Sequence, residues 1–280
     1  MEQILNRPEL QSAVAPFVIA LLAYFGLRKI SAQAWLWAVC AAFLVSVLLI
    51  NGVTVTPLTG TRKIILLVLI SFFAAALLPR LLPRVNLQRA VAAGAAVLAL
   101  LWVFWAVLAR MEAGAIALFL AGSIGLALWL LFLFDRLAHN EARLHAAGFS
   151  LLLGVGLAAT AAASALLGQL ALALSTASAG AFLGWVLFAN KDDAEAAQPS
   201  ITTLPYVLAP LLLGLAAVIF ARLPWYALLA LAAVPLAVSL LPLKSDSRFL
   251  SALLSSLPGL VIAIAVGFWI WQSGSSDSGY

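Results

Sequence analysis

The sequence predicts an all-α integral membrane protein: about ten transmembrane helices in one compact bundle, with short loops and no extramembrane domain. Three observations predict it. Hydrophobic residues make up 65% of the 280 and charged residues 9%, against about 45–50% and about 25% in soluble domains. The apolar residues gather in ten runs near the length, roughly 20 residues, that a helix needs to cross a bilayer. None of the charged residues, 15 Lys and Arg with 10 Asp and Glu, lies near the middle of a run. In lipid only helices and closed barrels satisfy their own backbone, and the short alternating strands of a barrel are missing.

Taken in order, the runs lie near 13–27, 34–50, 64–78, 90–109, 113–134, 146–167, 170–189, 203–221, 225–242 and 250–271. The first follows an N-terminus with two acids and one arginine, which reads as a retained span rather than a cleavable signal. The sixth and seventh are separated only by Gly168-Gln169, so 146–188 reads as a helical hairpin turning there. The polar segment Asn190–Ser200 reads as a linker between a seven-helix portion, 1–190, and a three-helix portion, 201–280, of a single polytopic domain. Pro16, Pro210, Pro235 and the Pro258-Gly259 pair fall inside runs and read as kinks, because proline frees a carbonyl one turn back. Spans one to three also echo spans eight to ten, with Pro16 twelve residues before Arg28 and Pro210 twelve before Arg222.

Charge placement gives an orientation. With the N-terminus on side one, that side holds Arg7, Arg62, Lys63, Arg110 and Arg222. The other holds Arg28, Lys29, Arg80, Arg84, Arg89, Arg136, Arg143, Lys191, Lys244 and Arg248. Five against ten puts both termini on the non-cytoplasmic side of a plasma or inner membrane, since Lys and Arg collect in cytoplasmic loops. Trp35, Trp37, Trp225, Trp269 and Trp271 mark span ends as an interfacial belt does, and Trp102, Trp105, Trp129 and Trp185 read as packing residues. The basic balance, net charge +5, is scattered at run ends and gives no nucleic-acid face. Membrane lipid is the expected partner, and the stretch Arg80, Arg84 and Arg89 suits its anionic headgroups.

Few side chains suggest chemistry. Asp135, His139, Glu141, Arg143 and His145 form a polar cluster between spans five and six, expected on the surface. Asp135 with His139, and Glu141 with His145, are spaced to share a helix face. Metal ligation wants three or four convergent ligands, and zinc spacing such as HExxH is absent, so no metal or other cofactor is expected. The loop Asn51–Lys63 collects Thr54, Thr56, Thr59 and Thr61 beside Arg62 and Lys63 and reads as turns that can accept an anion. Ser175, Thr176 and Ser178, with Tyr24 and Tyr206, are the candidate substrate-binding hydroxyls. Gly180 and Gly184 make a GxxxG step, and Ala121 with Gly125 a similar one, suited to close helix packing or to partner proteins.

With no His expected inside a span, haem ligation and intramembrane acid–base catalysis lose their usual groups. The lone Cys40 excludes an internal disulfide. In its general plan the chain resembles compact carriers such as the drug/metabolite transporter superfamily, although no motif of that family is present and the charge count favours the opposite orientation. The expected function is a small transporter or flippase for a neutral, zwitterionic or lipid-like substrate, not an enzyme. The alternative is a non-catalytic subunit of a larger complex, with a membrane-surface lipid-modifying enzyme behind both.

Overall fold

A computed structural model describes residues 8–31, 33–52, 56–188, 200–240 and 247–276. The linker residues 190–199, Arg7, Thr54, Lys191 and Lys244 lie outside the described residues. The rest is helical: α1 (Ala15–Leu27), α2 (Ala34–Asn51), α3 (Gly60–Leu81), α4 (Val85–Leu108), α5 (Ala113–Leu137), α6 (Glu141–Ala161), α7 (Ala165–Phe188), α8 (Leu204–Phe220), α9 (Trp225–Leu231), α10 (Val234–Leu240) and α11 (Arg248–Ser276). Among the described residues nine helices are long and apolar enough to cross a membrane, as a multi-pass membrane protein requires.

The predicted ninth run is not one long helix. It breaks at Ala232-Ala233 into α9 and α10, seven residues each. Pro235 causes the break: it has no N–H for the Leu231 carbonyl, and its ring crowds that carbonyl. The pair still runs the length of the bundle. Trp225 opens α9 against Phe119 near the start of α5, and Ser239 in α10 reaches Arg143 near the start of α6. The carbonyl of the residue after Leu231 is met from the side, where Trp129 Nε1 donates to Ala232 O at 3.2 Å.

The hairpin between α6 and α7 also turns elsewhere than Gly168-Gln169. Ala163 takes a positive φ of 66°, and Ser164 N donates to Ala159 O to close the turn. Gly168 is instead one turn inside α7, where an added Cβ would lie 2.0 Å from Thr160 Oγ1. Its missing side chain serves helix approach, not the turn.

Glycines set the rest of the packing. An added Cβ at Gly180 would lie 2.3 Å from Phe17 O, and one at Gly184 2.8 Å from the Tyr24 ring, so α1 lies parallel along α7. On the other side Gly259 meets Ser150 and Gly267 meets Leu157, so α11 runs parallel along α6. The four helices form a layer in the order α1, α7, α6, α11. The GxxxG face at Gly180 and Gly184 is thus covered within the chain, while Ala121 and Gly125 remain exposed on α5.

The echo between spans one to three and eight to ten joins helices in unlike places. In the most apolar window of the first helix, Leu10–Leu27, 22% of residues are buried, against 83% in Ile201–Phe220. Pro16 follows a π-helical turn, Leu10–Val14, and Pro210 lies in the middle of the most buried helix. Wider winding before Pro16 leaves Ser12 O open, and Thr176 Oγ1 of α7 donates to it at 3.0 Å.

Candidate functional site

The polar cluster between spans five and six is taken apart by the fold. α5 ends at Leu137, and Asn140 caps α6 by accepting from Arg143 N at 3.0 Å, which puts a turn through the predicted helical face. His139 stays exposed in that turn. Asp135, still on α5, pairs with Arg89 of α4 at 2.6 Å. Arg143 donates toward Ser239 O at 3.4 Å. Glu141 and His145, expected on a surface, are buried; they begin α6 one turn apart on its inner face. The helix here starts earlier than the apolar run, so an ionisable ring stands inside a membrane-length helix.

His145 is fully buried in a box of rings. Its Nδ1 lies 3.0 Å from Tyr206 Oη. Trp35 meets it edge-on at 4.8 Å between centroids, and Phe182 and Trp185 lie at 5.6 and 6.3 Å. Tyr206 is stacked between Trp35 and Phe134 and faces Ser178 with its hydroxyl. Gly148 makes room for it, since a Cβ there would lie 2.5 Å from the Tyr206 ring. His145 Nε2 and the indole N–H groups of Trp35 and Trp185 have no hydrogen-bond partner among the described residues. Unpaired buried donors cost about 1–3 kcal/mol each, and five helices, α2, α5, α6, α7 and α8, contribute rings or hydroxyls to this node.

The five candidate substrate-binding residues therefore divide. Tyr206 and Ser178 join His145. Ser175 Oγ donates to Phe149 O at 2.8 Å and ties α7 to α6. Thr176 serves the proline-freed carbonyl, and Tyr24 fills the space above Gly184. In the second loop, Arg62 donates to Pro57 O and Lys63 to Trp102 O, while Thr59 caps α3.

A second feature had no signal of its own in the sequence. Between α4 and α5 lies a half-open groove of about 410 Å³. Ala90, Ala92 and Ala93 line one wall, Leu128, Leu131 and Phe132 the other, and Thr203 reaches it from the short 3-10 turn Ser200–Thr203. The Arg89–Asp135 pair stands at one end. That end is also the end of Trp35 and Glu141, where the histidine node lies. Arg136 covers the Phe132 ring at 4.3 Å. Only the pairing of α4 with α5 makes a wall of Ala90 and Ala93.

The groove and the broken helix share α5. Phe132 lines the groove and lies 6.4 Å from the Trp129 ring, whose Nε1 holds the Ala232 carbonyl. Among the described residues, no three His, Cys, Asp or Glu side chains converge as metal ligands would. No protein-family model matches the chain, and no curated protein matches it.

Proposed function

We propose that the chain is a multi-pass membrane carrier or flippase for an amphipathic, lipid-like substrate, taken from the bilayer through the α4–α5 groove. The observation that carries this reading is the discontinuous helix α9–α10 standing behind that groove. Broken helices are uncommon in membranes because free backbone is tolerated only against protein or a cavity, and they recur where carriers bind and move substrates. Here Trp129, one turn from groove-lining Phe132, donates a side-chain hydrogen bond to Ala232 O at the break. A substrate that displaces Phe132 acts on Trp129 and so on the hinge.

The Lys and Arg distribution supports placing the Arg89–Asp135 end in the cytoplasm, in a plasma or inner membrane. The alternative of a non-catalytic subunit keeps one open docking step, Ala121 and Gly125, after the Gly180 and Gly184 face is taken by α1. Purified protein reconstituted in liposomes decides the first reading. Faster loss of a fluorescent phospholipid from the inner leaflet than in protein-free vesicles is expected. No flipping, with no uptake across a panel of neutral and zwitterionic solutes, overturns it.

A further inference from the structure

We infer that the α4–α5 groove is a binding site for a zwitterionic membrane phospholipid whose headgroup carries a primary amine beside its phosphate. The inference rests on the lipid-handling reading above and names the headgroup class. The groove has two chemically distinct parts. Its length is walled by alanines on α4 and by Leu128, Leu131 and Phe132 on α5, which is a surface for a hydrocarbon chain. Leu128 and Phe132 are each 49% exposed, so the wall is open sideways rather than sealed.

Its polar end combines the Arg89 guanidinium with the Asp135 carboxylate. Arg89 is half exposed, so it can reach a phosphate at the mouth while it keeps its bond to Asp135. Guanidinium forks suit phosphate oxygens. Asp135 is the discriminating group. A carboxylate accepts hydrogen bonds, and a primary ammonium has three N–H groups to give, whereas a quaternary ammonium has none. Choline headgroups are recognised instead by open aromatic faces, and the Phe132 face is already covered by Arg136. A singly anionic headgroup without an amine satisfies Arg89 but brings Asp135 a negative charge with no ammonium to offset it. One guanidinium and one carboxylate match one phosphate plus one ammonium, charge for charge.

The test is lipid retention, which is independent of transport. Purified protein is exposed to phosphatidylethanolamine, phosphatidylcholine and phosphatidylglycerol of identical acyl chains, and bound lipid is counted by native mass spectrometry. Several-fold preference for phosphatidylethanolamine is expected. D135N should lower that lipid to the level of phosphatidylcholine, and R89Q should weaken all three. A93W, which fills the alanine wall, should remove retention of all three; A93L is the milder companion, and both are accepted only with an unchanged unfolding midpoint. Equal retention of the three lipids, preference for phosphatidylglycerol, or indifference to D135N overturns the assignment. Competition by water-soluble phosphoethanolamine as strong as by the whole lipid overturns the membrane-lipid source. Lipid retention without flipping in liposomes would refute the carrier reading alone, and flipping without selective retention would refute this site alone.

Discussion

The α6–α7–α8 core is less apolar than the α4–α5 arm, with mean hydropathies of 1.6, 1.7 and 2.1 against 2.4 and 2.5, and the two are packed in opposite ways. In the core helices 72%, 67% and 83% of the most apolar windows are buried; in the arm the figures are 39% and 33%. The difference comes from what sits at the close approaches. Core glycines at 148, 156, 168 and 180 each stand where a methyl group would strike a neighbour, and aromatic rings fill the remaining space around His145. Arm glycines at 94, 114 and 125 have nothing within 4 Å of an added Cβ. A helix pair held by close backbone contact forms a rigid wall, whereas a pair held apart by alanines and bulky residues leaves a groove. Rigidity and access are thereby assigned to different helices.

One substitution with opposite signs tests that contrast most severely. Gly180→Ala puts a methyl into the Phe17 carbonyl, a backbone group that moves only with α1, and should cost about 3 kcal/mol. Gly94→Ala meets no atom and restores helix propensity, so it should stabilise by about 0.5–1 kcal/mol. Reversible unfolding in mixed micelles measures both. If the two variants lose equal stability, the division into packed core and open arm fails.

Tyr206→Phe probes the inside of the core. It keeps the stack on Trp35 and removes the hydroxyl beside His145 Nδ1, leaving a second buried ring nitrogen unpaired. About 1–3 kcal/mol should be lost, with no change in lipid retained by the arm. The chain has two histidines, His139 and His145, so 15N-histidine spectra of an H139Q background report this one hydrogen bond directly. An unchanged imidazole spectrum in Y206F would remove the node from the account of core rigidity.

Much of this architecture was legible in the amino-acid sequence because it depends on length and hydropathy. Nine helices could be counted from their runs, and the break at Ala232-Ala233 could not, since Pro235 stands in a run as apolar as its neighbours. Gly168 drew the hairpin turn to itself because glycine serves both turns and close packing; the actual turn uses Ala163, whose positive φ no composition announces. His145 was assigned to a surface loop because Glu141 and Arg143 flank it. Its i+4 spacing from Glu141 was the correct clue, and both residues share a face, but which side that face meets is a tertiary fact. Thr176 and Ser175 read as pathway hydroxyls because their acceptors, Ser12 O and Phe149 O, are main-chain atoms without a sequence signature. The α4–α5 groove arises from two helices meeting and has no local signal at all.

Trp129→Phe addresses the boundary between the two regions. The ring volume next to Phe132 is largely retained, and the hydrogen bond to Ala232 O is lost at a site that has already lost a bond through Pro235. The stability cost should be small, about 1 kcal/mol. The effect on flipping should be larger in proportion, as a rate change with unchanged lipid retention, because the hinge and not the groove is altered. A variant that flips at the normal rate would disconnect the break from the groove.

The smallest effect on the fold is expected where the largest effect on lipid is claimed. Arg89 and Asp135 form an ion pair with one partner half exposed, and such pairs contribute about 0.2–1 kcal/mol, screened further by salt. D135N should therefore shift unfolding by less than G180A, Y206F or W129F, and the shift should shrink toward zero at high ionic strength. In the packed core a lost polar contact leaves a group buried without water, so its cost appears in stability. At the groove mouth water replaces the lost partner, so the fold tolerates the change and any consequence must appear in what the groove holds. A D135N protein as unstable as Y206F would mean that the pair is a strut of the arm, and the polar end of the groove would lose its standing as a recognition surface.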